Sequence, residues 1–82
     1  MHLMVTITLD RQRAAEFQPL IPDEQARIAA LRNEGVIEAL YIGSNSPLIW
    51  IAMQAESEEQ AEAILKTLPL HPYMETQLTP LR

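Results

Sequence analysis

The chain contains 82 residues, of which 48% are hydrophobic, and 11 acidic against 6 basic side chains give it a net charge of −5. This length fits a single domain, residues 1–82, and the hydrophobic content excludes a disordered chain. No cysteine is present, which excludes disulfides and thiolate metal sites, and the scattered positive charges argue against nucleic acid as a partner.

Alternation with a period of two predicts a β-strand over residues 1–10. Leu3, Val5 and Ile7 point to one face, which we expect to pack against helices. The opposite face is mixed, because Met4 is apolar and the threonines beside it are small and polar. Such a face suits a sheet that covers a second sheet or lines a cavity.

Residues 11–21 look irregular, and a helix is predicted to follow over residues 22–34. Pro22 suits the first helical position, where a missing N–H costs nothing. Glu24 lies in the first turn, where a negative charge interacts favourably with the helix dipole. Gly35 can adopt the left-handed conformation that commonly ends a helix.

Two apolar runs, residues 36–43 and 48–55, are separated by the turn formers of residues 43–47 and predict a β-hairpin. The second run is apolar on both faces, with Leu48, Trp50 and Ala52 on one and Ile49, Ile51 and Met53 on the other. Two helices can cover only one face of a sheet. We therefore expect a second copy of the chain to cover the other face, in a homodimer or a larger homo-oligomer.

A second helix is predicted over residues 58–67, because Ser57 and Gln60 have the spacing of a capping box. A last strand is predicted over residues 74–79, and we expect Pro80 to stop it.

The resulting order, βαββαβ, predicts an α+β domain of the ferredoxin-like type, with a four-stranded antiparallel sheet and both helices on one face. The apolar runs are far shorter than the ~20 residues of a membrane span. The first residues lack the features of a signal peptide, so a cytoplasmic protein without a membrane partner is expected.

Few side chains could carry chemistry. His71, between two prolines, and His2, on the first strand, suit proton transfer near neutral pH. The alternatives are a partly exposed loop residue for His71 and a strand residue at an interface or in solvent for His2. Glu24 is either a partner of the helix dipole or a catalytic base. Glu38 is either solvated at a sheet edge or a buried base with a raised pKa.

Three aromatic residues, Tyr41, Trp50 and Tyr73, either pack in the core or an interface or form the wall of a binding pocket. No metal-ligand spacing and no glycine-rich phosphate loop occur in the sequence. We therefore expect neither a metal nor a cofactor.

The segment Leu68-Pro69-Leu70-His71-Pro72-Tyr73-Met74 resembles the L-P-L-x-P-Y-M signature of the muconolactone delta-isomerase family. Helix-opening and helix-closing residues upstream fall in a similar order, so the likeness covers roughly residues 20–81. The resemblance implies a dimeric α+β barrel, often in larger rings, with a ligand pocket between subunits and no cofactor. It also implies a role in the breakdown of aromatic compounds.

The family's enzyme moves a proton within an unsaturated lactone. For this activity, the resemblance implies Glu24 as the base, and the residue types make His71 or His2 the expected proton donor. The other predicted substrate-binding residues are Glu38, Tyr41, Trp50 and Tyr73. Family isomerases carry basic residues along the second strand, where this chain has Glu38 and Ile42.

Two functions follow from the sequence. One is a cofactor-independent isomerase acting on a small lactone or a related metabolite. The other is a non-catalytic oligomeric protein that uses the same barrel to bind a small ligand or to assemble, which the loss of basic residues favours. A heme- or flavin-using oxygenase has less support, because His71 alone could serve as a loop ligand.

Overall fold

The computed structural model describes residues 1–45 and 48–82. Within them, one antiparallel sheet has the order β2-β3-β1-β4, and its strands are β1 (His2–Leu9), β2 (Ile37–Ile42), β3 (Leu48–Gln54) and β4 (Met74–Leu81). The α-helices of this part are α1 (Ala14–Phe17), α2 (Ile21–Asn33) and α3 (Glu58–Leu65). The predicted ferredoxin-like α+β fold is confirmed. Ser46 and Pro47 of the predicted hairpin turn lie outside the described residues.

Strand β1 lies inside the sheet, where Val5 is opposite both Ile51 of β3 and Leu78 of β4. The predicted alternation is confirmed, because the side chains of Leu3, Val5 and Ile7 are buried. They form one core with buried residues of the two longer helices, namely Leu31, Ala61 and Leu65. Helices α2 and α3 therefore pack on the same face of the sheet.

The expectation that residues 11–21 are irregular is wrong. Short 3-10 turns at Arg11–Arg13 and Gln18–Leu20 flank α1 and lead directly into α2. The Asp10 side chain accepts a hydrogen bond from the backbone N–H of Gln12 and so begins the first turn. Phe17 anchors the segment, because its side chain is buried.

The ends of both main helices follow local signals. Helix α2 begins one residue before Pro22 and ends in a Schellman motif, in which Gly35 has φ +79° and the Val36 N–H donates to the Leu31 carbonyl at 2.9 Å. In the predicted cap of α3, the Ser57 Oγ accepts from the Gln60 N–H at 3.0 Å.

The prediction that Pro80 stops the last strand is wrong, because β4 continues to Leu81 and Pro80 pairs with Leu3. Strand β4 lies at an edge of the sheet. On an edge strand, a residue without an N–H can face solvent without losing a ladder hydrogen bond.

The sheet face turned away from α2 and α3 carries apolar side chains that no helix buries, and we call it the open face. Its members include Met4, Thr6, Tyr41, Trp50 and Ala52, which pair across β1, β2 and β3. All of them remain half-buried or exposed. Among the described helices, none is long and apolar enough to cross a membrane.

Candidate functional site

A cavity of about 460 Å³ lies between α2 and the sheet, and we call it the helix-side cavity. Its sheet wall is apolar and includes Ile7, Leu40, Ile42, Ile49, Ile51 and Met74. Only three lining residues are polar, namely Glu24, Gln25 and Arg32. The cavity is therefore an apolar container in which a few polar groups can orient a ligand.

Helix α2 contributes one of its faces to the cavity. The lining residues are Ile21, Glu24, Gln25, Ile28, Ala29 and Arg32. These residues recur every three or four positions, which places them along one side of an α-helix. The same helix buries Leu31 in the protein core, so its position against the sheet is fixed.

Glu24 is the one buried charged or polar side chain in the described part of the protein, with 7% of its surface exposed. Its Oε1 accepts a hydrogen bond from the backbone N–H of Leu70 at 3.0 Å. Burial raises the pKa of Glu24 above its ordinary value, and the hydrogen bond from Leu70 partly opposes that rise. A carboxylate in this environment suits proton transfer closer to neutral pH.

The proline-containing segment after α3 positions that N–H group. Leu70 is buried beside the cavity, and its carbonyl accepts a hydrogen bond from the Tyr73 N–H at 2.9 Å. The neighbouring His71 N–H donates to the Leu68 carbonyl at 3.0 Å. The turn is thus held by its own backbone, with Pro69 and Pro72 limiting its conformations.

His71 and Tyr73 follow Leu70, whose N–H bonds to Glu24, but neither lines the helix-side cavity. His71 directly follows Leu70 and is half-buried. The Tyr73 ring packs behind the cavity wall, with its centroid 5.7 Å from that of Phe17. The guanidinium of Arg13 lies 4.5 Å from the centroid of the Tyr73 ring.

His2 and Glu38 form a separate polar group near the open face. The His2 Nδ1 lies 2.9 Å from the Glu38 Oε1, and the Gln54 Nε2 donates to the Glu38 Oε2 at 3.2 Å. The hydrogen bond with His2, followed by that from Gln54, lowers the pKa of Glu38. The alternative that Glu38 is a buried base with a raised pKa is therefore wrong, because its side chain is exposed beside a register shift of β2.

Tyr41 and Trp50 are cross-strand neighbours on the open face. Tyr41 is 59% exposed, and Trp50 is half-buried. The structure thus separates the predicted site residues: Glu24 lines the helix-side cavity, whereas Tyr41, Trp50, His2 and Glu38 do not. Their roles as donor or substrate-binding residues stay predictions.

Sequence reasoning missed Arg32, Ile28 and Phe17 as cavity residues. A signal for two of them was present, because Ile28 and Arg32 follow Glu24 at intervals of four residues on one helix. Phe17 gave no such signal, since its turn was predicted to be irregular. Within the described ranges, no group of three or more histidine or acidic side chains could hold a metal ion.

Comparison with known proteins gives consistent matches. A family model described as muconolactone delta-isomerase matches residues 1–82. A crystal structure of muconolactone isomerase superimposes with a TM-score of 0.83 at 25% identity, covering 99% of this chain and 88% of that one.

A second solved structure is a 5-chloro-2-hydroxyhydroquinone dehydrochlorinase from Burkholderia phenoliruptrix AC1100, in complex with 2,5-dihydroxybenzoquinone. It has a TM-score of 0.63 at 16% identity and covers 98% of this chain and 93% of that one, a likeness that concerns the fold alone. Among curated protein sequences, none matches significantly.

Proposed function

Since this chain belongs to the muconolactone delta-isomerase family, we propose that it is a cofactor-independent isomerase that moves a proton within a small unsaturated lactone or a related metabolite. The observation that carries this proposal is Glu24, a buried carboxylate in the wall of an apolar cavity. An isomerisation of this kind needs a base of suitable pKa in a site from which water is largely excluded.

Glu24 would act as the base. Its carboxylate takes a proton from a ring carbon activated by the lactone carbonyl, and the electron pair left behind spreads onto the carbonyl oxygen. The ring double bond then shifts, and a proton returns to a different ring carbon. Glu24 is again a carboxylate at the end, so no atom is gained or lost and no oxidant or reductant is needed.

The raised pKa of Glu24 suits both proton transfers, the removal from one ring carbon and the return to another. A carboxyl group with an ordinary pKa is a weak base toward carbon, and burial makes it stronger. The Leu70 N–H holds Oε1 at 3.0 Å and so limits the rotation of the carboxylate. The family motif, by placing that N–H, would orient the base toward the ligand.

Two histidines remain candidates for the returning proton. His71 is adjacent in sequence to Leu70, which contacts Glu24. His2 lies with Glu38 near the other face of the sheet, so it could serve only a ligand that is bound there. Glu24 itself can return the proton, and this route requires no second group.

The test is to incubate the purified protein with muconolactone and to follow the shift of the double bond by ultraviolet absorbance. Wild-type protein should convert the lactone, and the Glu24→Gln variant should not. If circular dichroism shows that the wild-type protein is folded and its rate still equals the uncatalysed rate, this activity is ruled out.

A second candidate function is a non-catalytic oligomeric protein that binds a small ligand or serves assembly, and the open face favours it. Trp50 and Ala52 on this face are only half-buried, and Tyr41 is largely exposed. Apolar side chains in such an arrangement are typical of a surface that another chain covers. We propose that two copies pair through this face, whether or not the protein is an isomerase. The ligand pocket between subunits that the sequence predicts would then lie at the open face, apart from the helix-side cavity.

A further inference from the structure

Ile42 is a large hydrophobic residue at the rim of the helix-side cavity. It lines the cavity and is nevertheless 71% exposed, more than any other large hydrophobic side chain in the part of the chain that the structure describes. It is the last residue of β2, an edge strand, and its cross-strand partner Ile49 lines the same cavity and is half-buried. The cavity therefore opens to solvent at the end of β2, and its apolar surface continues to that opening.

The polar groups of the cavity differ in their access to water. Gln25 and Arg32 are exposed, so solvent surrounds their polar ends and screens the charge of Arg32. Glu24 is buried, and its Oε1 accepts the hydrogen bond from Leu70. Among the described residues none donates to its Oε2, yet no fully buried side-chain oxygen there lacks a partner. Oε2 is therefore accessible and is the atom of Glu24 that can meet a ligand.

The charge of Glu24 makes the cavity unfavourable for an anion. The base has to be ionised before it can take a proton, and a second negative charge beside it in an apolar space would be strongly destabilised. The net charge of −5 adds repulsion at longer range. An uncharged ligand avoids both costs.

The cavity is also larger than a lactone ring needs. Its volume of about 460 Å³ is in the range of pockets that enclose drug-sized organic molecules. A bare ring beside Glu24 would leave much of the apolar wall, which includes Ile28, Ile42 and Ile49, in contact with water. An apolar substituent on the ring would cover that wall, and removing this surface from water favours binding.

We propose that the substrate is an uncharged lactone with an apolar substituent and that Ile42 determines this specificity. The ring would lie with its acidic C–H at the Oε2 of Glu24, and the substituent would extend along the apolar wall to Ile42. The substituent would thereby cover Ile42 and exclude water from the opening of the cavity. This assignment rests on the proposed isomerase function and names the substrate class of the same site.

The experiment compares muconolactone, which carries a carboxylate, with its uncharged methyl, propyl and butyl esters in the ultraviolet assay. For the wild type, kcat/KM should be at least ~10-fold higher for the methyl ester than for the acid, because only the acid is repelled by Glu24. It should then rise about fourfold for each further CH₂ group that the cavity buries. A higher kcat/KM for the acid than for every ester would overturn the assignment, as would equal values along the ester series.

Two substitutions of Ile42 test its role. Ile42→Thr keeps the branched shape but removes apolar surface, so the gain for each CH₂ group should fall to about twofold or less. Ile42→Arg places a positive charge at the opening and should shift the ratio of kcat/KM values toward the acid at least ~10-fold. Because Ile42 is exposed, both variants should fold, and a melting curve for each one checks this. Ile42→Thr alone provides the test if the arginine variant does not fold.

Ala30→Arg is the matched control for charge, because it adds the same charge to an exposed position of α2 that does not line the cavity. It should leave the ratio between ester and acid unchanged. Equal shifts in Ala30→Arg and Ile42→Arg would mean that any added positive charge suffices, and the role of Ile42 would be refuted.

Binding measured by calorimetry separates this inference from the proposed function. If the wild type binds the butyl ester more tightly than the acid but converts neither, the isomerase proposal fails and the specificity stands. If it converts the acid faster than every ester, the isomerase proposal stands and the specificity fails. Absence of both binding and conversion for all four compounds overturns both proposals.

Discussion

Two glutamates, Glu24 of α2 on the helix side of the sheet and Glu38 of β2 near the open face, have surroundings that shift their pKa values in opposite directions. Glu24, on the helix side, is buried among apolar side chains, and its pKa is raised. Glu38, near the open face, is exposed and bonded to His2 and Gln54, and its pKa is lowered. The comparison shows that exclusion of water, rather than residue type, separates a candidate base from a solvated surface charge.

The largest effect that this comparison predicts is the loss of activity in Glu24→Gln. The glutamine oxygen can still accept the hydrogen bond from Leu70, so the fold should persist while the base is lost. We expect kcat for lactone isomerisation to fall about 10²- to 10⁴-fold. The ultraviolet assay measures it, with circular dichroism as the check on folding.

The neighbouring Asp23→Asn provides a matched control, because Asp23 is an exposed acid in the same helical turn. It should retain wild-type kcat. Comparable losses in both variants would mean that the turn, and not the buried carboxylate, is what the reaction requires. The distinction between the two faces would then have no catalytic meaning.

A second prediction concerns the open face. Trp50→Glu places a charge in the middle of this face, where Trp50 lies opposite Thr6 and Tyr41. If copies pair through the open face, the dissociation constant of the oligomer should rise at least ~100-fold, since burial of an unpaired charge costs several kcal/mol. Sedimentation velocity over a range of protein concentrations measures this change.

Ala63→Glu adds the same charge to an exposed position of α3 and should leave the association unchanged. A wild-type protein that sediments as a monomer at all concentrations would contradict the pairing. In that case, the half-buried apolar residues of the open face would need another explanation.

The fold was accessible from the sequence because its signals are local. Period-two alternation in β1, the Ser57 cap and Gly35 each determine a structure within a few residues of themselves. Two expectations failed where tertiary position decides the outcome. Pro80 is tolerated because β4 is an edge strand, and residues 11–20 become helical because Phe17 is drawn into the core.

The candidate site was only partly accessible. Glu24 could be named because an acid at a helix start is visible in the sequence, but nothing local indicated that Leu70, 46 residues away, would bond it. By residue type alone, Glu38 and Trp50 looked as suitable for the candidate site as Glu24. Which face each would occupy depends on strand register and on which side the helices pack, and both are long-range properties.

A smaller effect should appear in stability as a function of pH. The folded-state pKa of Glu24 lies above the ordinary value of 4.5, so ionising this residue costs stability as the pH rises from that value through the folded-state pKa. Glutamine does not titrate. The melting temperature of Glu24→Gln minus that of the wild type should therefore increase over this range. The expected increase is about 4–8 °C for each kcal/mol of unfolding free energy that ionisation of Glu24 removes from the wild type.

For Glu38→Gln, the difference in melting temperature from the wild type should change with pH in the opposite direction. The folded-state pKa of Glu38 is lowered, so its ionised form adds stability above the ordinary pKa, and that contribution disappears as the pH falls. The melting temperature of Glu38→Gln minus that of the wild type should thus become more negative as the pH rises. If the melting-temperature differences of Glu24→Gln and Glu38→Gln changed with pH in the same direction, the assignment of opposite environments to the two glutamates would be wrong.

The smallest predicted effect is that of Glu38→Gln on catalysis. The side chains of His2 and Glu38 are 52% and 39% exposed, so solvent screens the charge of this pair, and neither residue lines the helix-side cavity. If Glu24 alone is the base, kcat and KM for the lactone should equal those of the wild type in Glu38→Gln and in His2→Gln. A rise in KM in both variants would instead place the ligand at the open face, between paired copies, and would restore His2 and Glu38 as site residues.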